Sequence, residues 1–196
     1  MSVQADEDPD VALMLRVKAG DERAFVELFH KHKRKIVGFA RRYLNQYARA
    51  EDAAQETFMR IYRARENYEP KSKFTTYLYH VATNTCLNHL RQREFLLREK
   101  DDEQESVTER MADTSGSTPE LDLAGRELEV RVNKAMSALP ETQRTALLLL
   151  RSEDLSYEEI AEVMRTTVPA VKSLLNRARE LMLTQLAPWM DKEFVS

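Results

Sequence analysis

The sequence predicts an all-α protein of two small helical domains joined by a flexible acidic linker, and three observations carry this. The 196 residues include only four Gly and six Pro, so long helices are rarely interrupted. Apolar residues recur at spacings of three and four through most of the chain, the period of a single buried helical face. Residues 98–124 break that pattern: the stretch 99–122 holds nine acids against Lys100 and Arg110, a net charge of −7, with the turn-forming run TSGSTP at 114–119. Such a segment buries too little apolar surface to offset its ordering entropy, so it reads as a tether between domains at 9–97 and 125–187.

Taken in order, Asp8 and Pro9 form a helix start, followed by Val11, Leu13, Met14 and Val17 as an apolar stripe, and Gly20 closes the helix. Asp21 can cap the next helix, residues 22–44. Its stripe is Phe25, Leu28, Phe29, Ile36, Phe39, Ala40 and Tyr43, while residues 31–42 carry six Lys or Arg and no acid. A third helix at 49–66 points Ala54, Phe58, Ile61 and Tyr62 inward and leaves Asp52, Gln55, Glu56 and Met59 on or near the surface. Residues 67–73, NYEPKSK, form a loop, because Pro70 forbids a continuing helix and biases Glu69 to extended geometry. A fourth helix runs from Phe74 to about residue 97, burying Phe74, Leu78, Val81, Ala82 and Thr85. Beyond the linker come helices at 127–139 and from Pro140 to about 151, the latter with Ala146, Leu147, Leu149 and Leu150 inside.

Residues 155–182 read as two helices joined by a three-residue turn. Ser156 followed by Glu159 is a capping box, and Ile160, Val163 and Met164 share one face. Arg165, Thr166 and Thr167 break the helix, and Thr167 is the second N-cap with Pro169 in the first turn. Arg165 occupies a turn position where Gly, Asn or Asp tolerates a left-handed backbone better. In the second helix Val168, Val171, Leu174, Leu175 and Ala178 form a buried stripe, leaving Lys172, Ser173, Asn176, Arg177 and Arg179 for another surface. Cations, amides and a hydroxyl presented after a tight turn suit a DNA major groove, and a helical hairpin with a solvated basic face is the bland alternative.

The overall charge of −3 hides a split, since the chain outside 99–122 is +4. Local fields steer polyanions, so the distribution matters more than the sum. Around the 67–73 loop, Tyr68, Phe74, Tyr77 and Tyr79 are followed by Thr75, Thr76, Asn84, Asn88, Arg91 and Arg93. Rings to stack on bases, amides for base edges and cations for phosphates are what a single strand of DNA requires, although Phe74 and one or two tyrosines could equally be core. Catalysis finds little support. His30, His32, His80 and His89 occur without HExxH, GxxxxGK or GxGxxG, and His30 and His32, two apart, lie on different helix faces. A metal site and a cofactor are therefore not expected. Single Cys86 excludes an internal disulfide and reads as a small core residue, the polar N-terminus is no signal peptide, and no run spans a membrane, so a cytoplasmic protein without membrane insertion is expected.

These residues carry a resemblance. The stretches DERAFVELFHKHKRKIVGFARRYL, AEDAAQETFMRIYRAREN, KFTTYLYHVATNTCLNHLRQR, ALPETQRTALLLLRSEDLSYEEIAEVM and VKSLLNRARELM resemble, in order, the second and fourth regions of bacterial sigma factors of the extracytoplasmic-function group. The resemblance implies a subunit that gives core RNA polymerase its promoter sequence, with core polymerase and promoter DNA as partners and an anti-sigma factor as a further one. By the same resemblance Asp52, Gln55, Glu56 and Phe58 dock on the polymerase clamp helices. Arg60, Ala64, Tyr68 and Asn84 line a pocket for a base flipped from the minus-10 element; Phe74, Tyr77 and Asn88 join this strand-binding set, and Arg91 and Arg93 hold the adjacent backbone. Lys172, Ser173, Asn176 and Arg177 read the minus-35 element, with Arg144 and Arg179 on phosphates. Tyr77 stands where the family often has tryptophan, and Leu174 where relatives commonly carry arginine. The linker is expected to thread the RNA exit channel as a nucleic-acid mimic. Rival readings are a polymerase-independent DNA-binding regulator, a helical adaptor that binds only proteins, and an enzyme.

Overall fold

The computed structural model describes residues 8–101, 119–152 and 155–193, and among them the regular structure is helical with no strand. The chain divides into two compact units between residues 112 and 113. The first holds α1 (Pro9–Lys18), α2 (Glu22–Leu44), α3 (Tyr47–Arg63), a 3-10 turn (Arg65–Asn67) and α4 (Phe74–Asp101). The second holds α5 (Pro119–Ser137), α6 (Glu141–Leu150), α7 (Tyr157–Val163) and α8 (Val168–Glu193).

In the first unit α2 is the axis against which α1, α3 and α4 all pack. Its start is fixed locally: one carboxylate oxygen of Asp21 accepts from the N–H groups of Arg23 and Ala24, a cap of about 1 kcal/mol. Just before it, the Asp21 N–H reaches Arg16 O and the Gly20 N–H reaches Val17 O, a closure that needs the left-handed backbone Gly20 adopts at φ 94°. The helix ends at Asn45, also left-handed at φ 54°. Met14, Val17, Leu28, Ile36, Phe39, Ile61, Phe74 and Leu78 form a core essentially closed to solvent. The sequence overestimated the burial of Phe25, Phe29, Tyr62 and Val81, which are half-buried at the edge of this core.

The interior also contains polar groups that the apolar pattern does not reveal. Asp10 and His32 are 4% and 3% exposed, and His32 Nε2 donates to Asp10 Oδ2 at 2.9 Å while Lys31 Nζ donates to Oδ1 at 2.6 Å. A carboxylate this deep persists because both oxygens are used. His30, two residues earlier, is exposed, as the helical period requires.

The second unit closes over Leu139, Ala146, Leu148, Leu149, Ile160, Val171, Leu175 and Ala178. Within α6 the fully buried positions are Thr145, Ala146, Leu148 and Leu149, whereas Leu147 and Leu150 are half-buried, so the inward face is rotated from the expected one. The α7 start carries the capping box in full: Ser156 N donates to Glu159 Oε2 at 2.7 Å and Glu159 N to Ser156 Oγ at 3.2 Å. The turn between α7 and α8 closes with Thr166 N on Ala161 O and Arg165 N on Glu162 O, leaving Arg165 left-handed at φ 52°. A non-glycine residue there costs on the order of 1–2 kcal/mol, so the surrounding packing enforces the turn.

The helices extend further into the acidic stretch than its composition suggested. Residues 98–101 continue α4 and residues 119–124 open α5, because Arg, Glu, Lys and Leu are good helix formers once a neighbouring turn has nucleated. The rest of that segment, 102–118, lies outside the described residues. At the other end α8 runs through Pro188, and the Arg131 guanidinium of α5 sits 4.0 Å over the Trp189 ring, a contact the sequence did not announce.

Candidate functional site

Three surfaces hold the residues singled out from the sequence. The first is a groove between α2 and α3 of about 390 Å³, floored by Phe29, Ala54 and Phe58 and rimmed by Val26, Gln55 and Met59. Phe58 is 2% exposed and meets Phe29 edge-on at 5.0 Å, so it is groove floor rather than a protruding contact. Glu51 and Gln55 line the groove and face solvent, and Asp52, next along α3, is exposed outside the lining. Val26 and Met59, 51% and 40% exposed, supply the apolar rim; Met59 was expected at the surface and Val26 was not singled out by the sequence.

Glu56, expected on or near the surface, is half-buried and hydrogen-bonded. Its Oε1 accepts from Arg60 at 2.6 and 2.8 Å, and its Oε2 accepts from His89 Nε2 at 2.8 Å. Partial burial pushes its carboxyl up, but the hydrogen bonds from His89 and Arg60 outweigh this and hold it below the usual glutamate range. Glu56 therefore ties α3 to α4, and Arg60, expected on DNA, is half-buried in the same tie.

The second surface is the 68–73 loop and the outer stripe of α4. Here two rings for which stacking and core both stood open lie in the core. Phe74 has no exposed surface, and its ring lies 5.5 Å from that of His32 inside the unit. Tyr68 is 4% exposed and packs on Tyr77 at 5.2 Å. Neither ring has a face free for a base in this structure, since apolar area closes over each rather than leaving it to water. Tyr77 and Asn88 are half-buried, as is Ala64 at the C-cap of α3, while Asn84, Arg91 and Arg93 are exposed. Asn84, Asn88 and Arg91, spaced four and three apart, form one polar stripe on α4, and Asn84 Nδ2 donates to His80 Nε2 at 3.2 Å.

The Tyr68 hydroxyl is buried without a hydrogen-bond partner. Burial first, then the negative charge of Asp8 and the neighbouring Tyr77, push its phenol up to about 12. A folded-state value above the ordinary 10.0 favours the neutral form, so this stabilisation is intact below pH 10 and is lost as pH rises from 10 to about 12. We expect Tyr68→Phe to be neutral or mildly stabilising at pH 7, because it removes an orphaned hydroxyl, and to blunt the alkaline loss. Thermal melts of both proteins across alkaline pH check this, and a loss above about 1 kcal/mol at neutral pH would mean the hydroxyl has a partner.

The third surface is the outward face of α8. Val171, Leu175 and Ala178 are buried, which turns Lys172, Ser173, Asn176, Arg177 and Arg179 to solvent. Thr167 Oγ1 accepts from Ala170 N at 3.4 Å at the helix start, and Lys172 Nζ lies 5.8 Å over the Tyr157 ring. Arg144, on α6, is half-buried rather than fully displayed, and Leu174 is half-buried at the edge of the face. A short capped helix, a closed turn and a second helix with a polar, basic outer stripe is the arrangement that enters a major groove.

Comparison with known proteins converges on one family. Residues 28–95 match the family model described as Sigma-70 region 2, and residues 129–182 match Sigma-70, region 4. The RNA polymerase sigma-H factor of Pseudomonas aeruginosa is 38% identical over 185 residues, covering 93% of this chain and 96% of that protein. The ECF RNA polymerase sigma-E factor of Haemophilus influenzae is 36% identical over 192 residues, covering 95% and 100%. Among solved structures, CnrH in complex with the cytosolic domain of CnrY superposes with a TM-score of 0.67 at 21% identity, covering 93% of this chain and 99% of that one. The sigma factor RpoE of Bartonella quintana, in complex with the anti-sigma factor NepR, gives 0.62 at 22% identity, covering 83% and 96%. Among the described residues no helix is long and apolar enough to cross a membrane. With both regions matched in order and relatives aligned end to end, this chain belongs to the sigma-70 family, in its extracytoplasmic-function group, whose members direct core RNA polymerase to initiate transcription at specific promoters.

Proposed function

We propose that the three surfaces divide the work of promoter selection. The α2–α3 groove with Asp52 and Gln55 at its side docks on core polymerase. The α4 stripe and the 68–73 loop capture the opened minus-10 strand, through Asn84 and Asn88 for base edges and Arg91 and Arg93 for phosphates. Lys172, Ser173, Asn176 and Arg177 read the minus-35 duplex, with Arg179 and Arg144 toward its backbone. The observation that carries this reading most directly is the α8 outer face, solvent-exposed from Lys172 to Arg179 behind a capped turn. Residues 9–97 act as the first module, 125–187 as the second, and the acidic stretch 98–124 as the connection between them.

The protein is a specificity subunit and makes or breaks no covalent bond itself. Its place of work is the compartment that holds core polymerase and the chromosome. An anti-sigma factor completes the partner set: a relative in fold, RpoE of Bartonella quintana, was solved with the anti-sigma factor NepR. The apolar rim of the groove, Val26 and Met59, gives such a partner the same foothold that the polymerase uses.

Run-off transcription with purified core polymerase over a pool of promoters tests the reading. Initiation at sites that polymerase alone ignores is the expected outcome, and its absence at every site would overturn it. Docking is tested separately. Asp52→Lys with Gln55→Lys, both exposed, should weaken association with core polymerase roughly tenfold or more while leaving the melting curve unchanged. An unaltered dissociation constant would move the docking face elsewhere. Glu56 is left intact in this test because its loss also severs the α3–α4 tie.

A further inference from the structure

We propose that α1 is a strap that shapes the strand-capture loop, and that Asp8 and Lys18, at its two ends, are positioning residues for base choice at the minus-10 element. This rests on the assignment of the 68–73 loop and α4 to strand capture given above.

The observation is a pair of long-range hydrogen bonds. Asp8 Oδ1 accepts from Asp10 N at 2.9 Å and so caps α1, while its Oδ2 accepts from Phe74 N, also at 2.9 Å, in the first turn of α4 and 66 residues away. One carboxylate thus starts two helices. At the opposite end of α1, Lys18 Nζ donates to the Tyr68 carbonyl at 2.8 Å, 50 residues away. The loop is therefore held at its entry by one end of α1 and at its exit by the other.

Ten helical residues rise about 15 Å, so the two anchors lie at opposite ends of a rigid rod, and between them the loop turns on itself, with Lys71 N on Glu69 O at 2.9 Å and Lys71 Nζ on Glu69 at 2.7 Å. Pro70 stiffens it further. The strap itself does not drift, since Asp10 is locked to His32 and Lys31 of α2, and Val11, Met14 and Val17 are buried. Both bonds satisfy groups that would otherwise lack partners: a helix N-terminal N–H, where a carboxylate also meets the helix dipole, and the carbonyl of a buried loop residue. The matched Sigma-70 region 2 begins at residue 28, so α1 precedes the part of the chain that the family description covers.

The chemistry predicts a division of labour. Loosening the strap lets the loop sample several shapes, so the bound base is held less selectively while the docking groove on α3 is untouched. The test uses the full chain with core polymerase and compares initiation from a preferred promoter with promoters substituted at single minus-10 positions. Lys18→Met keeps the aliphatic stem and removes the donor. Asp8→Ala removes both caps, and Lys18→Arg restores a donor. Both disabling variants should lower the preferred-to-substituted ratio by about tenfold with an unchanged dissociation constant for core polymerase, with rescue in Lys18→Arg and, in Asp8→Ala alone, faster hydrogen exchange at the Phe74 amide.

Asn84→Ala is run in parallel. If it changes base preference and Lys18→Met does not, the strap is overturned and the pocket stands. If neither changes it, the strand-capture reading falls and the strap's link to base choice falls with it. If polymerase affinity drops in step with initiation in Lys18→Met, α1 supports the whole unit rather than the loop, and the proposal is wrong.

Discussion

Phe74→Ala is expected to destabilise the N-terminal unit by about 3–5 kcal/mol, enough to leave a marginal helical unit largely unfolded at moderate temperature. Phe74 has no exposed surface, and its ring contacts those of His32 and Tyr77 at 5.5 and 6.4 Å. Removing it opens a cavity where α1, α2 and α4 converge. Phe74→Leu keeps most of the volume and should retain most of the stability. Urea unfolding followed by helical signal distinguishes this from the role the sequence suggested. Were Phe74 a stacking platform for DNA, the alanine variant would melt normally and lose only single-strand binding.

The second large effect concerns α8. Arg177→Ala and Asn176→Ala should each cost about 1–3 kcal/mol at a preferred minus-35 element, roughly ten- to a hundredfold, and little at a scrambled one. These side chains point away from Val171, Leu175 and Ala178, so the melting curve of the second unit should not move. Lys172→Ala should behave differently. Held over Tyr157, its ammonium suits a phosphate, and its loss should weaken binding evenly across sequences and reduce the salt slope by about one. The measurement is holoenzyme binding to matched and scrambled duplexes at several salt concentrations. A uniform loss in all three variants would mean that this face supplies charge without reading sequence.

What the sequence disclosed and what it hid separate by range. Caps and turns are decided within a few residues, and Asp8, Asp21, the Ser156–Glu159 box, Thr167 and the left-handed Arg165 were all legible for that reason. The α8 outer face was legible because its apolar positions fix which residues remain outside. Contacts across the fold were not. His32 with Asp10, His89 with Glu56 and Lys18 with Tyr68 join residues 22, 33 and 50 apart, and no periodicity weighs such pairs. Glu56 read as a surface acid; its i,i+4 partner Arg60 lies on the same helix, but His89, the partner that ties it to α4, lies on another. The aromatics near the loop were ambiguous for a different reason: a ring beside a loop serves stacking or core equally well until the packing of α1 is known. Phe74 and Tyr68 turned out to be closed over, Tyr77 and Asn88 are half-buried, and Asn84 and Arg91 are exposed.

Cys86 has a practical use. It is 1% exposed, and burial pushes its thiol up to about 12, so it is kept in the unreactive protonated form near neutral pH. Because it is the chain's single cysteine, a new one placed on a solvent-facing helix can be alkylated selectively without first removing the native sulfur. Pairs of fluorophores attached in this way to each unit would report how far apart the two units stand before and after the polymerase takes hold.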